Sequence, residues 1–176
     1  MKYTSSEASK LLKKLSEEHL ALVEQEKQRK DFLATLGEDV ESVRPKYDYA
    51  ETQKQLDELE SKVREVKHII NQFNVSHVVP GFDMTIDQML VYIPQLTARK
   101  QKLQDMKKRL PKARENASPY GRSNPIVDYR YTNYDADAVA KDYEVISELL
   151  SKAQIALDLV NNTETMYISI KETDAP

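Results

Sequence analysis

The apolar positions of this chain fall mostly at alternating spacings of three and four. Between Asp48 and Phe73, Leu56, Leu59, Val63, Val66, Ile70 and Phe73 recur in that order, the heptad pattern of a long amphipathic helix with one apolar seam. The same rhythm predicts three more helices. The first is expected over about 5–36, opened by Thr4, Ser5 and Ser6 before Glu7 and closed by Gly37, with apolar positions at Leu11, Leu12, Leu15, Leu22, Val23, Phe32, Leu33 and Leu36. The second spans about 48–74. The third, about 85–110, begins at the Thr85/Gln88 capping-box pair and carries Pro94 inside its stripe, where a bend is expected. The fourth, about 136–161, is capped by Asp135, carries its stripe at Val139, Tyr143, Ile146, Leu149, Leu150, Ala153, Leu157 and Val160, and ends at Asn161-Asn162.

Breaks in the rhythm are equally informative. Glu24 to Asp31 has no apolar residue, so those two turns of the first helix either extend beyond the core or face a polar partner; a solvated extension is the expectation. Residues 111–125, with Pro111, Pro119, Gly121 and Pro125, predict a mobile loop. Residues 126–132 alternate like a short strand, 166–170 also read as strand, and the two are expected to pair as a small ribbon. The whole reads as one all-α domain over 1–176, a long antiparallel, coiled-coil-like bundle of about four helices with a small β-ribbon.

Composition narrows the function classes. Charged residues make up 31% of the chain, with Gly 3 and Cys 0, which favours helix and removes disulfides, thiolate metal sites and cysteine nucleophiles. The net charge of -3 predicts no nucleic-acid partner by itself. Residues 1–14 lack the apolar core of a signal peptide, and no run approaches the roughly 20 apolar residues of a spanning helix, so a cytoplasmic location is expected. His19, His68 and His77 form no metal-ligand motif, and no nucleophile elbow or phosphate-binding glycine loop occurs. No catalytic residue, metal or cofactor is therefore assigned.

Three clusters remain as candidates. An up-down-up-down bundle gathers Asn71, Asn74, Thr85 and Asn162 at one pole, either as helix caps or as a polar network that fixes register. The other pole sets the basic run Arg99, Lys100, Lys102, Lys107, Lys108 and Arg109 against the acidic starts of the second and fourth helices, as the helix dipoles favour. Tyr120, Tyr129, Tyr131 and Tyr134 form an aromatic cluster suited to capping a core or forming a subunit contact, with ligand recognition as the alternative.

Ile70-Asn71-Gln72-Phe73-Asn74, Met84-Thr85-Ile86-Asp87-Gln88-Met89-Leu90 and Asn161-Asn162-Thr163-Glu164 together resemble a family of uncharacterised bacterial proteins, some labelled septicolysin. The likeness runs from Leu56 to Glu164, with Asn162 where the family tends to carry Trp and with Pro94 as a further departure. It implies a helical fold, and its label a membrane-active role that the residues themselves do not suggest. The residues point instead to a non-catalytic structural or protein-interaction protein that self-associates through helical seams as a homo-oligomer. A nucleic-acid-associated module using the basic run and the tyrosines is the alternative, and a septicolysin-like membrane-active protein the third reading.

Overall fold

The computed structural model describes residues 1–115 and 128–170. In chain order its elements are β1 (Lys2–Thr4), α1 (Ser5–Arg29), α2 (Val40–Val43), α3 (Tyr49–Ser76), β2 (Val78–Val79), β3 (Met84–Thr85), α4 (Ile86–Lys107), β4 (Lys112–Arg114), β5 (Tyr129–Tyr131), α5 (Ala136–Thr163) and β6 (Thr165–Tyr167). The strands form antiparallel two-stranded ribbons, β1 with β6, β2 with β3 and β4 with β5. The protein is all-α with small ribbons attached. It divides into two compact units, Met1–His77 with Asp158–Pro176, and Val78–Leu157.

In the first unit, Thr4 caps α1 through a capping box, its backbone N–H donating to the Glu7 carboxylate at 2.8 Å. That hydrogen bond is the main reason the Glu7 carboxyl is held below its ordinary range. Asp48 caps α3 by accepting from the Glu51 N–H at 3.1 Å. The seam of α3 behaves as its spacing requires: Leu56, Val66, Ile70 and Phe73 are buried. Facing it, α1 offers Ala8, Leu12, Leu15, His19, Leu22 and Glu26, again alternating by four and three. The two helices run antiparallel, since His19 meets Glu60 at 3.2 Å while Glu26, farther along α1, meets Tyr47 just before α3.

The polar stretch of α1 is exposed as expected except at Glu26. Glu26 accepts hydrogen bonds from the Tyr47 hydroxyl at 2.7 Å and from the Gln53 amide at 2.8 Å, so this turn faces a polar partner. The hydrogen bond to Glu26 is the first cause that pushes the Tyr47 phenol up to about 12. A phenol whose folded pKa is raised stabilises the fold fully below its unfolded pKa of about 10. That contribution is lost as pH climbs from there through about 12. In an ultraviolet titration of the ten tyrosines, one phenol is therefore expected to ionise late, and Tyr47→Phe should delete that late step. A variant that keeps the late step and instead loses one near the ordinary phenol range of about 10 would show that Tyr47 is free in solution.

The first helix also ends sooner than about Leu36. It stops at Arg29 with Lys30 as its C-cap, and Leu33 and Leu36, at 97% and 103% exposure, stand in the connection that follows. The reason is geometric. By Glu26, α1 is already level with the start of α3, so the remaining apolar positions have nothing to pack on, and helices rest mainly on such packing. Gly37 keeps its positive φ of 90°, but it serves the turn closed by Glu38 N–H donating to Thr35 O, not a helix end. The ends of the chain are tied by β1 pairing with β6 and by the Ser6 hydroxyl donating to Asn162 Oδ1 at 3.0 Å.

In the second unit, β2 turns into β3 through Gly81 (φ 83°) and Asp83 (φ 50°) and delivers Thr85 as the N-cap of α4, with the Thr85/Gln88 capping box formed. Ile86, Met89, Leu96 and Leu103 are buried along α4. The helix continues through Pro94, which lies on its exposed face. There the Leu90 carbonyl, deprived of its usual donor, is on the solvent side of the helix. Asp135 caps α5 by accepting from the Asp137 and Ala138 N–H groups. The end of α4 lies against the start of α5: the Tyr134 hydroxyl donates to Met106 O at 2.8 Å, and Lys107 pairs with Glu144 at 3.3 Å.

The ribbons correct the expected strand pairing. Tyr129–Tyr131 pairs with Lys112–Arg114, inside the stretch expected to be a loop, and Thr165–Tyr167 pairs with Lys2–Thr4. Each strand takes a partner that an adjoining helix already carries to it: β4 follows α4 and β5 precedes α5, while β1 precedes α1 and β6 follows α5. The rest of the expected loop, 116–125, and Ile126 and Val127 of the expected strand lie outside the described residues.

Candidate interaction surface

The β4–β5 ribbon carries the aromatic cluster. Its register places Lys112 opposite Tyr131, Ala113 opposite Arg130 and Arg114 opposite Tyr129. Opposed residues of an antiparallel pair share a face, and neighbours along a strand alternate. One face therefore holds Lys112, Arg114, Tyr129 and Tyr131, and the other Ala113 and Arg130.

Both faces are ordered by charge. The Lys112 ammonium sits 4.2 Å from the Tyr129 ring centroid and 5.5 Å from that of Tyr131, within cation–π range of both. On the opposite face Arg130 makes a bidentate pair with Glu115, both contacts at 2.7 Å, and this hydrogen bonding holds the Glu115 carboxyl below its usual range. Tyr129 and Tyr131 nevertheless remain 48% and 62% exposed. Two large rings are thus fixed in place without being buried. Beside them opens a cavity of about 360 Å³ lined by Arg109, Leu110, Ala113, Tyr131, Thr132 and Tyr134, among others.

The four tyrosines expected to act together divide. Tyr129 and Tyr131 form the exposed face, Tyr134 is occupied by its hydrogen bond to Met106 O, and Tyr120 lies outside the described residues.

The basic run is likewise split by its partners. Lys100 and Lys107 approach the Tyr143 ring at 5.8 Å and 4.3 Å, Lys107 also pairs with Glu144, and Lys108 reaches Asp105 at 3.8 Å. Arg99, Lys102 and Arg109 make no side-chain hydrogen bond or ion pair among the described residues. Half of the run is therefore engaged in holding α4 to itself and to α5.

The asparagine residues have separate duties. Asn162 accepts from Ser6 and donates to Asp158 O at 2.7 Å, Thr85 caps α4, and Asn71 is exposed. Asn74 Oδ1 is buried without a hydrogen-bond partner among the described residues. Sequence reasoning missed the Glu26–Tyr47–Gln53 and His19–Glu60 contacts. The signal for both was present, since Glu26 and His19 occupy seam positions of α1 where a lone polar group must find a partner.

No group of three or more His, Cys, Asp or Glu side chains is arranged to hold a metal ion among the described residues, and among them no helix is long and apolar enough to cross a membrane. No protein-family model matches this chain, and no curated protein matches it. Among solved structures it is similar to the crystal structure of a functionally unknown conserved protein from Corynebacterium diphtheriae, at 14% sequence identity and a TM-score of 0.62. That match covers 95% of this chain and 100% of the other. The likeness is one of fold.

Proposed function

We propose that this is a non-catalytic protein-interaction protein that self-associates. The observation that carries this reading is the number of large apolar and aromatic side chains held in regular elements yet outside the buried core, in particular Leu90 and Val91 on α4 and Tyr129 and Tyr131 on β5. Ordered exposed rings and aliphatic groups lose little conformational freedom on binding, which makes them effective contact residues. Light scattering on the purified protein tests this directly. A closed oligomer that persists on moderate dilution is expected, and a clean monomer at all concentrations overturns self-association.

One arrangement favours a second reading, in which the ribbon binds single-stranded nucleic acid. Lys112 and Arg114 share a face with Tyr129 and Tyr131, combining phosphate neutralisation with stacking surfaces. It predicts retardation of single-stranded DNA or RNA at low salt, weakened steeply by added salt and by Tyr129→Ala with Tyr131→Ala. Absence of retardation at low salt ends it. The intramolecular partners of Lys100, Lys107 and Lys108 weigh on the side of the first reading.

A further inference from the structure

The outer face of α4 is unlike the solvent face of any other long helix in this chain. From Gln88 to Ala98 there is no charged side chain anywhere around the helix, a stretch of about 16 Å at about 1.5 Å per residue. Helices that are uncharged all round are normally buried all round. Here Ile86, Met89 and Leu96 are buried, while Leu90 and Val91 on the other side are 50% and 58% exposed. At about 100° per residue, Leu90, Val91, Pro94, Thr97 and Ala98 share that outer face, and all five are exposed. Pro94, Thr97 and Ala98 are small or compact, so another helix can approach closely.

The charges that bracket this stripe identify its occupant. Asp87 lies at its start and Lys102 at the edge of its far end; both are exposed, and neither side chain makes a hydrogen bond or ion pair among the described residues. The midpoint between them falls beside Pro94. A second copy of α4 laid antiparallel across a two-fold axis at Pro94 therefore brings each Asp87 to the partner copy's Lys102. The same axis sets Val91 level with the partner's Ala98, and Leu90 level with the partner's Arg99, whose aliphatic stem can cover it. A two-fold interface requires this kind of self-complementarity, in which one residue meets another and the exchange is reciprocated. A parallel copy would instead set acid on acid and base on base.

We propose that the outer face of α4 is an isologous dimer interface, occupied by α4 of a second copy of this chain in antiparallel orientation. This rests on the self-association reading above and specifies its surface.

Charge exchange tests it. In Asp87→Lys every end of the dimer sets lysine against lysine, and in Lys102→Asp every end sets aspartate against aspartate. Each variant alone is expected to dimerise at least about tenfold more weakly than the parent. Mixed in equal amounts they should recover the dimer, because each end then pairs lysine with aspartate, and an unfolded variant cannot produce that recovery. Masses would be read by light scattering and folding checked by circular dichroism. A parent protein that is monomeric overturns the self-association reading and this interface with it. A parent oligomer with single variants unchanged, or a mixture that fails to recover, overturns the interface alone.

Discussion

Phe73→Ala is expected to destabilise the protein by about 3–5 kcal/mol, at the upper end of what core truncation costs. Phe73 is the last buried residue of the α3 seam, with 5% exposure. Its ring stacks on His77 at 3.7 Å between centroids and 24° between planes. The same residue's carbonyl accepts the His77 N–H that closes the helix, at 3.0 Å. Alanine keeps that carbonyl but removes the ring, so apolar burial is lost, a cavity is left, and the imidazole loses the surface that positions it. For a chain of this size the loss corresponds to a fall in melting temperature of roughly 6–20 °C. Calorimetry on parent and variant gives the comparison, with Phe32→Ala as control because Phe32 lies in the exposed connection after α1. A loss at Phe73 no larger than at Phe32 would show that the end of the seam is not packed in solution.

The α3 seam could be read from sequence because burial there follows from one helix's own periodicity. Leu56, Val66, Ile70 and Phe73 repeat with the period of a surface helix, and nothing remote is needed to place them. The caps at Thr4, Asp48, Thr85 and Asp135 are legible for the same reason, since each acts within one turn of its own position. What could not be read depends on partners distant in sequence. Leu33 and Leu36 continue the apolar rhythm of α1, yet they are exposed because α3 offers no surface beyond Tyr49. Glu26 looks like a solvent residue until Tyr47 and Gln53 reach it. Strand pairing failed in the same way. A three-residue strand carries no register information of its own, so β5 and β6 went to the strands that the helices brought near them.

The interaction surface shows a different limit. Tyr129 and Tyr131 were legible as a pair, because alternate residues of a strand share a face. The role of Lys112 between their rings was not, because it depends on the β4–β5 register. Tyr134 belonged to the same sequence cluster but is used to join the start of α5 to the end of α4. The charge-free stretch of α4 was visible in the sequence throughout. Only burial separates its two sides, Met89 at 0% and Val91 at 58% exposure, and so turns a uniformly uncharged segment into a core stripe backed by an open one.

That division makes Met89→Asp the substitution with the most severe expected outcome. Met89 has no solvent exposure, and no cationic side chain lies within one helical turn of it along α4. An aspartate there must either ionise without a partner in an apolar site or take up a proton, and both choices cost several kcal/mol. Domain stabilities are typically about 5–15 kcal/mol, so much or all of the margin is consumed. Loss of cooperative melting, or a collapse of the urea midpoint, is the expected result at neutral pH. Partial recovery is expected as pH falls through the range in which the buried carboxyl can remain protonated. Val91→Asp introduces the same side chain two residues along the same helix, but on the exposed face. At concentrations low enough to exclude association, its stability should stay within about 0.5 kcal/mol of the parent. Equal losses at the two positions would mean that α4 is covered on both sides within a single chain. A large loss at Met89 with little at Val91 would place the core on one side of α4 and leave the other side free for a partner.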